Sequence, residues 1–276
     1  MNFPFANYSV GSNQPLLLIA GPCVIESLEL CRTVAAHMKP LCEERGLNYV
    51  FKASFDKANR TSIHSKRGAG LEEGLKVLST IKSEFGVPVT TDVHEIEQCE
   101  AVASVCDILQ IPAFLCRQTD LLIAAARAAQ RHGSVVNVKK GQFLAPGDTR
   151  NIVVKVREAG CDKVLLTERG TTFGYGDLVV DFRSLATMRE FAPVCFDATH
   201  AVQKPGGGGD KTVGERRFVP LLTRAAVAVG IDALFVETHP TPDEAWSDGP
   251  NMVPLNEMAA LLDSVLAIRR AATSTS

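Results

Sequence analysis

Eight short apolar runs, recurring at intervals of roughly thirty residues, constrain this chain more than any other feature. They are LLLIAGPC (16–23), YVFKASF (49–55), VPVTTDV (87–93), DILQIPA (107–113), VVNVKK (135–140), KVLLTERG (163–170), PVCFDATH (193–200) and ALFVETHP (233–240). Each is close to continuously apolar instead of alternating, the pattern of parallel strands covered on both faces. Helical patterns fall between them. Ser27 is placed to cap a helix over 28–45, kinked at Pro40 and stopped at Gly46, and Gly70 precedes a pattern over 71–85. Thr119 and Asp148 are placed to cap 120–132 and 149–159, Gly160 closes the latter, and longer patterns cover 213–229 and 255–270. Strand then helix, eight times in a chain of 276 residues, predicts an α/β fold of the (β/α)8 TIM-barrel type, not an open doubly wound sheet. No composition break marks a second domain, so the barrel is expected over 16–276, preceded by an arm or hairpin at 1–15.

Polar residues collect at the carboxyl ends of the same runs: Cys23 and Glu26, Lys52, Asp92 and His94, Gln110, Lys139 and Lys140, Glu168 and Arg169, Asp197 and His200, Glu237 and His239. In a barrel those ends meet at one mouth, where this fold carries its chemistry. Reactive side chains at every strand end are a poor way to build a core, and the pattern predicts an enzyme.

The formal net charge of −2 gives no global field for nucleic acid or a membrane surface, so an anionic ligand has to be held by a local cluster. No apolar run approaches a membrane span, and the first residues lack the charge and apolar pattern of a secretory leader. A cytoplasmic protein is expected. The eight cysteines contain no CxxC pair, and Cys31, Cys42 and Cys99 fall in helical patterns as reduced packing residues.

The expected mouth is rich in cations: Lys52, Lys57, Arg60, Arg117, Lys139, Lys140 and Arg169. Several lie in FKASFDKANRTSIHS (51–65), where hydroxyls accompany them, as a phosphorylated ligand requires. Two phosphate groups fit, one at the loop 57–62 and one at Lys139 and Arg169; structural ion pairs with Asp92, Glu168 or Glu237 are the alternative. Cys23, His200, Glu237 and Asp248 follow the first, seventh and eighth strands, and adjacent first and eighth strands bring them within reach of each other. A thiolate, an imidazole and two carboxylates suit Zn²⁺, Fe²⁺ or Mn²⁺, and the ligand types favour none of the three. His64, His94 and His239 are further ligand or acid/base candidates. The stretch KPGGGGDKTVG (204–214), with its glycines 206–209, does not fit a P-loop and reads as a flap over the mouth.

A family resemblance rests on long motifs in order: AGPCVIES (20–27), FKASFDKANRTSIHS (51–65), TDVHE (91–95), QIPAFLCRQTDLL (110–122), NVKKGQFLAPGDT (137–149), TERGTTFGYGDLVVDFRSL (167–185), FDATHAVQ (196–203) and ETHPTPDEAWSDGP (237–250). Together they resemble 3-deoxy-D-manno-octulosonate 8-phosphate synthases over residues 17–270. The resemblance implies a homotetrameric barrel of lipopolysaccharide precursor (Kdo) synthesis, a transferase that condenses phosphoenolpyruvate with D-arabinose 5-phosphate and releases phosphate. By matching positions it implies phosphoenolpyruvate contacts from Lys52, Lys57, Gln110, Ala113, Lys139 and Arg169. Asn59, Arg60 and Thr61 would hold arabinose phosphate, with Arg117 reaching a neighbouring subunit's site; Thr61 stands where the family usually has Ser. Lys52, Lys57, Asp92 and His200 are the expected catalytic residues. The segment 130–134 is longer than usual. Cys23, where metal-independent members have Asn, and SDGP in the last motif resemble the metal-dependent class, with Cys23, His200, Glu237 and Asp248 as ligands. Two other enzyme readings stay open: a 3-deoxy-heptulosonate-type synthase, whose acceptor loop resembles KPRTS and not KANRTS, and a Schiff-base lyase using Lys52 or Lys139. A non-catalytic phosphosugar-binding protein is the remaining one.

Overall fold

Parallel strands with apolar residues on both faces have to be covered from inside and outside, and closing the sheet on itself does both. A computed structural model describes residues 1–58, 66–173, 176–205 and 213–273. Strands β3 (Leu17–Gly21), β4 (Asn48–Lys52), β5 (Val89–Asp92), β6 (Ile108–Ile111), β7 (Val135–Lys139), β8 (Val164–Glu168), β11 (Val194–Asp197) and β12 (Ala233–His239) pair in parallel in that order, and β12 returns to β3 to close the barrel. Two-residue strands lie outside the ring: β9 (Thr171–Thr172) pairs with β10 (Leu178–Val179), and β13 (Val253–Pro254) adds to the end of β12. The fold is the (β/α)8 barrel expected from the run pattern.

The connecting helices are α1 (Leu28–Glu43), α2 (Leu71–Phe85), α3 (Gln98–Val105), α4 (Thr119–His132), α5 (Thr149–Glu158), α6 (Arg183–Arg189), α7 (Val219–Val229) and α8 (Met258–Thr273). Ser27 caps α1 through its hydroxyl, which accepts from the Leu30 N–H at 3.1 Å. The helix continues past Pro40 to Glu43, and Gly46 follows in the left-handed region at φ 64°. Thr119 does not cap: it is the first helical residue, and its hydroxyl accepts from Lys155 Nζ at 2.7 Å. Asp148 makes no side-chain cap either. The expected helix over 213–229 starts only at Val219, with Pro220 in the first turn, where its missing N–H costs nothing. No helix among the described residues is long and apolar enough to cross a membrane.

Period-two alternation divides the strand side chains between two cores. Leu18, Ala20, Tyr49, Phe51, Val136, Val138, Leu166, Phe196 and Val236 pack outward under the helices. Leu17, Ile19, Val50, Ile108, Val135, Leu165, Cys195, Ala233 and Phe235 fill the barrel. The hairpin of β1 (Asn2–Phe5) and β2 (Tyr8–Gly11) joins the inner core through Phe3, Phe5 and Val10, closing the amino-terminal end of the barrel. Following the inward phase one step up each strand gives Lys52, Asp92, Gln110, Asn137, Lys139, Thr167, Asp197 and Glu237, all nearly inaccessible to solvent. The inner core therefore turns from apolar to polar along its axis.

Gly21 sits where that change begins. A β-carbon built there would lie 2.0 Å from the Lys52 carbonyl oxygen, a backbone atom that cannot step aside. We expect Gly21→Ala to cost at least about 1–3 kcal/mol of stability, as overpacking in a close-packed core does. Urea unfolding measures it, and a wild-type midpoint would contradict the close approach.

Candidate active site and metal centre

Three strand ends and one loop bring the proposed metal ligands together. Cys23 follows β3, Glu237 lies in β12, and Asp248 enters from the loop after it; one donor atom from each lies within 4.8 Å of the others, and all three residues are buried. The Cys23 thiol donates to Asp248 Oδ2 at 3.0 Å. His200, beyond β11, turns Nε2 toward the same group, 3.8 Å from Glu237 Oε1 and 3.9 Å from Asp248 Oδ2. Its Nδ1 faces Asp197 Oδ2 at 2.8 Å, so a buried carboxylate holds the ring with Nε2 outward, the usual device for orienting a ligating imidazole. Glu237 Oε2 is buried without a hydrogen-bond partner among the described residues. Asp248 adopts φ +55°, a conformation that aspartate tolerates better than most residues, and its carbonyl accepts from Asn251 N at 2.8 Å. Gln203 Nε2 donates to its Oδ1 at 2.8 Å. A thiol, an imidazole nitrogen and two carboxylates, one with an unsatisfied buried oxygen, fit a divalent transition metal.

Cations form the other half of the site. Lys52 Nζ donates to Glu237 Oε1 at 2.6 Å and to the Cys23 carbonyl at 2.9 Å. Lys57 Nζ lies 4.0 Å from the same Glu237 oxygen. Lys139 Nζ donates to Asp197 Oδ2 at 2.7 Å. The Phe235 ring forms the floor, 4.1 Å from Lys139 Nζ and 5.4 Å from Lys52 Nζ. Arg169 donates through Nη2 to Gln203 Oε1 at 2.5 Å, while its buried Nη1 has no partner among the described residues.

Burial opposes every charge here, and the neighbours decide the outcome. Burial alone would lower the Lys57 pKa, but the carboxylates of Glu237, Asp92 and Asp248 outweigh it and raise it. Burial would raise Asp92, yet Lys52, Lys57 and Lys139 hold it well below the usual carboxylate range. Asp248 is likewise held low, against burial, by His200 and Lys57. The Cys23 thiol is pushed up by burial, with Asp248 and Glu237 adding to the effect.

Residues 3–271 match the family model described as the DAHP synthetase I family. The 2-dehydro-3-deoxyphosphooctonate aldolase of Dechloromonas aromatica is 57% identical over 267 residues, 96% of this chain and 95% of that protein. The proteins of the same name from Cyanothece sp. and Fusobacterium nucleatum are each 58% identical, over 95% of this chain and 95% and 93% of their own lengths. The chain belongs to the 2-dehydro-3-deoxyphosphooctonate aldolase family.

In this aldolase-family chain several strand-end residues do not face the mouth. Lys140 is adjacent to Lys139 and therefore points to the other face of the strand. Its Nζ donates to Thr171 Oγ1 at 3.1 Å and to the carbonyls of Gly141 and Leu144 at 3.3 and 3.4 Å, and it lies 3.5 Å from Glu168 Oε1. It ties loops together and is not a mouth cation. Glu168 is structural as well, accepting from the backbone of Arg169 and Gly170 and from Ser184 Oγ. His239 accepts from Thr241 N at 2.9 Å through Nδ1 and faces Glu26 through Nε2. His94 stacks edge-on to Phe55 with ring centroids 5.7 Å apart. Ala113 is buried in the turn after β6, and Arg117 is exposed a few residues on. Asn59, Arg60, Thr61, His64 and the flap glycines 206–209 lie outside the described residues.

Sequence reading passed over Ser54, Asn137, Thr167 and Gln203, which the fold places beside the site. For Asn137 and Thr167 the signal was the inward phase of the strand: Asn137 lies two residues before Lys139 and Thr167 two before Arg169.

Proposed function

We propose that this member of the 2-dehydro-3-deoxyphosphooctonate aldolase family condenses phosphoenolpyruvate with D-arabinose 5-phosphate and water. The products are 3-deoxy-D-manno-octulosonate 8-phosphate and inorganic phosphate, for lipopolysaccharide (Kdo) precursor synthesis in the cytoplasm. Near-complete coverage of relatives at 57–58% identity carries the reading. The barrel from Leu16 onward is the catalytic unit, and the amino-terminal hairpin covers its far end.

The chemistry follows from the charges. C3 of phosphoenolpyruvate forms a bond to the aldehyde carbon of the sugar phosphate, and water adds at C2. The resulting hemiketal phosphate breaks its C2–O bond, phosphate leaves, and a ketone remains. Lys139 and Arg169 hold the phosphate of phosphoenolpyruvate; the buried Arg169 Nη1, without a partner among the described residues, supports this assignment. Lys52 and Lys57 stabilise the carboxylate and the charge developing beside it, and Gln110 and Ala113 line the same pocket. Asp92 accepts from Ser54 Oγ and Gln110 Nε2 and adds a negative charge among Lys52, Lys57 and Lys139. Asn59, Arg60 and Thr61 bind the acceptor phosphate. Cys23, His200, Glu237 and Asp248 hold a divalent metal, Zn, Fe or Mn, which when bound supplies Lewis-acid polarisation of an oxygen in the mouth.

A Schiff-base route fits less well, because Lys52 and Lys139 each use the nitrogen as a donor to a buried carboxylate. The active form is a homotetramer. Phe114, Phe143 and Phe173, 56–64% exposed in loops at the mouth, offer apolar surface for a second copy, with Arg117 nearby in sequence. Comparing phosphate release with arabinose 5-phosphate and with erythrose 4-phosphate tests the acceptor. Faster turnover of the four-carbon sugar would overturn the assignment.

A further inference from the structure

A line of buried amides and hydroxyls crosses five neighbouring strand ends below the charged groups. Thr167 Oγ1 donates to Asn137 Oδ1 at 2.7 Å, Asn137 Nδ2 donates to Gln110 Oε1 at 3.0 Å, and Gln110 Nε2 donates to Asp92 Oδ1 at 2.7 Å. From the opposite side Ser54 Oγ donates to Asp92 Oδ2. Each member is buried. The line has one direction. An aspartate held ionised can only accept, so Gln110 must turn its NH2 toward it; Asn137 then faces the Gln110 carbonyl with its own NH2, and Thr167 donates to the carbonyl left at the end.

We propose that Asn137 and Thr167 are positioning residues for phosphoenolpyruvate binding, acting through Gln110. With the Gln110 carbonyl tied down by Asn137 and one N–H given to Asp92, the amide has its second N–H, and not its oxygen, left for the site. An anionic ligand needs that arrangement, since a carbonyl oxygen in the same place would repel it. The inference rests on the reading of Gln110 as a phosphoenolpyruvate contact.

The test separates orientation from packing. Asn137→Asp is nearly isosteric but removes the donor and sets a second carboxylate against the Gln110 carbonyl, so the amide can no longer satisfy both neighbours in its present orientation. Thr167→Val keeps the shape and removes the hydroxyl, while Thr167→Ser keeps the hydroxyl. Steady-state kinetics of the full chain, with metal added, should show kcat/KM for phosphoenolpyruvate falling roughly 100-fold in Asn137→Asp and 5- to 10-fold in Thr167→Val, as broken buried hydrogen bonds do. KM for arabinose 5-phosphate should stay within about twofold, and Thr167→Ser should recover most of the Thr167→Val loss. Thermal unfolding of each variant checks folding, and should Asn137→Asp not fold, the Thr167 pair decides. Equal losses for both substrates, or Thr167→Val at wild-type kinetics, would overturn the proposal. A wild-type protein inactive with these substrates would instead sink the functional reading beneath it.

Discussion

Removing divalent metal is expected to abolish phosphate release, by roughly a thousandfold or more, since a bound metal ion contributes several kcal/mol to the stabilisation of developing charge. The donor group explains the size of the effect. Without a cation, Glu237 and Asp248 are two buried carboxylates near a protonated thiol, and Glu237 Oε2 has no hydrogen-bond partner among the described residues. Lys52 satisfies Oε1 of Glu237, which leaves Oε2 as the donor atom a cation would take. Dialysis against a chelator, followed by Mn²⁺, Fe²⁺ or Zn²⁺, should remove and then restore activity. Metal analysis of the active protein should give near one ion per chain, and Cys23→Ser should weaken retention. Full turnover in a protein shown to be metal-free would contradict the assignment of Cys23, His200, Glu237 and Asp248.

Lys52→Met is expected to have the largest effect of any single substitution on both stability and activity. Lys52 and Glu237 are 1% and 0% exposed, so removing the ammonium leaves a carboxylate in the core whose remaining partners among the described residues are Lys57 at 4.0 Å and His200 at 3.8 Å. Breaking one side of a buried pair costs about 3–5 kcal/mol, because the remaining charge keeps its desolvation penalty. Metal loading should reduce that loss by supplying a cation beside Glu237. Activity should not recover, since the loss of one preorganised charge in a water-excluded site costs roughly 10²–10³-fold in kcat. The double variant Lys52→Met with Glu237→Gln separates the two effects: urea unfolding should show stability largely regained while turnover stays absent. A loss below about 1 kcal/mol for the single variant, the scale of a surface ion pair, would show that the pair is not isolated from water as described.

The barrel was legible because its strands are short, apolar and regularly spaced, and every run named from the sequence overlaps a barrel strand. Helices α3 and α6 were not, since eight and seven residues give barely two turns of a 3.6-residue period. Pro40 falls in the last turn of α1, and the helix runs on past it to Glu43, close to the expected end before Gly46. The site was legible at the level of strand ends, and Lys52, Asp92, Lys139 and Glu237 do converge. What a linear reading could not separate was which of two adjacent polar residues faces inward. Lys139 and Lys140 look equivalent as letters, yet one meets Asp197 in the barrel and the other ties outer loops. The same phase rule, applied downward from Lys139 and Arg169, reaches Asn137 and Thr167. Gln203 follows no strand pattern and was accessible only through the fold that sets it against Asp248.

The central claim is that one mouth couples two phosphorylated substrates. The direct measurement is phosphate release from phosphoenolpyruvate with and without D-arabinose 5-phosphate, with the organic product weighed by mass spectrometry. Phosphate appearing only when both are present, in equal amount to an eight-carbon phosphorylated keto acid, is the predicted result. Phosphate released from phosphoenolpyruvate alone at the same rate, or no new carbon–carbon bond in the product, would contradict it.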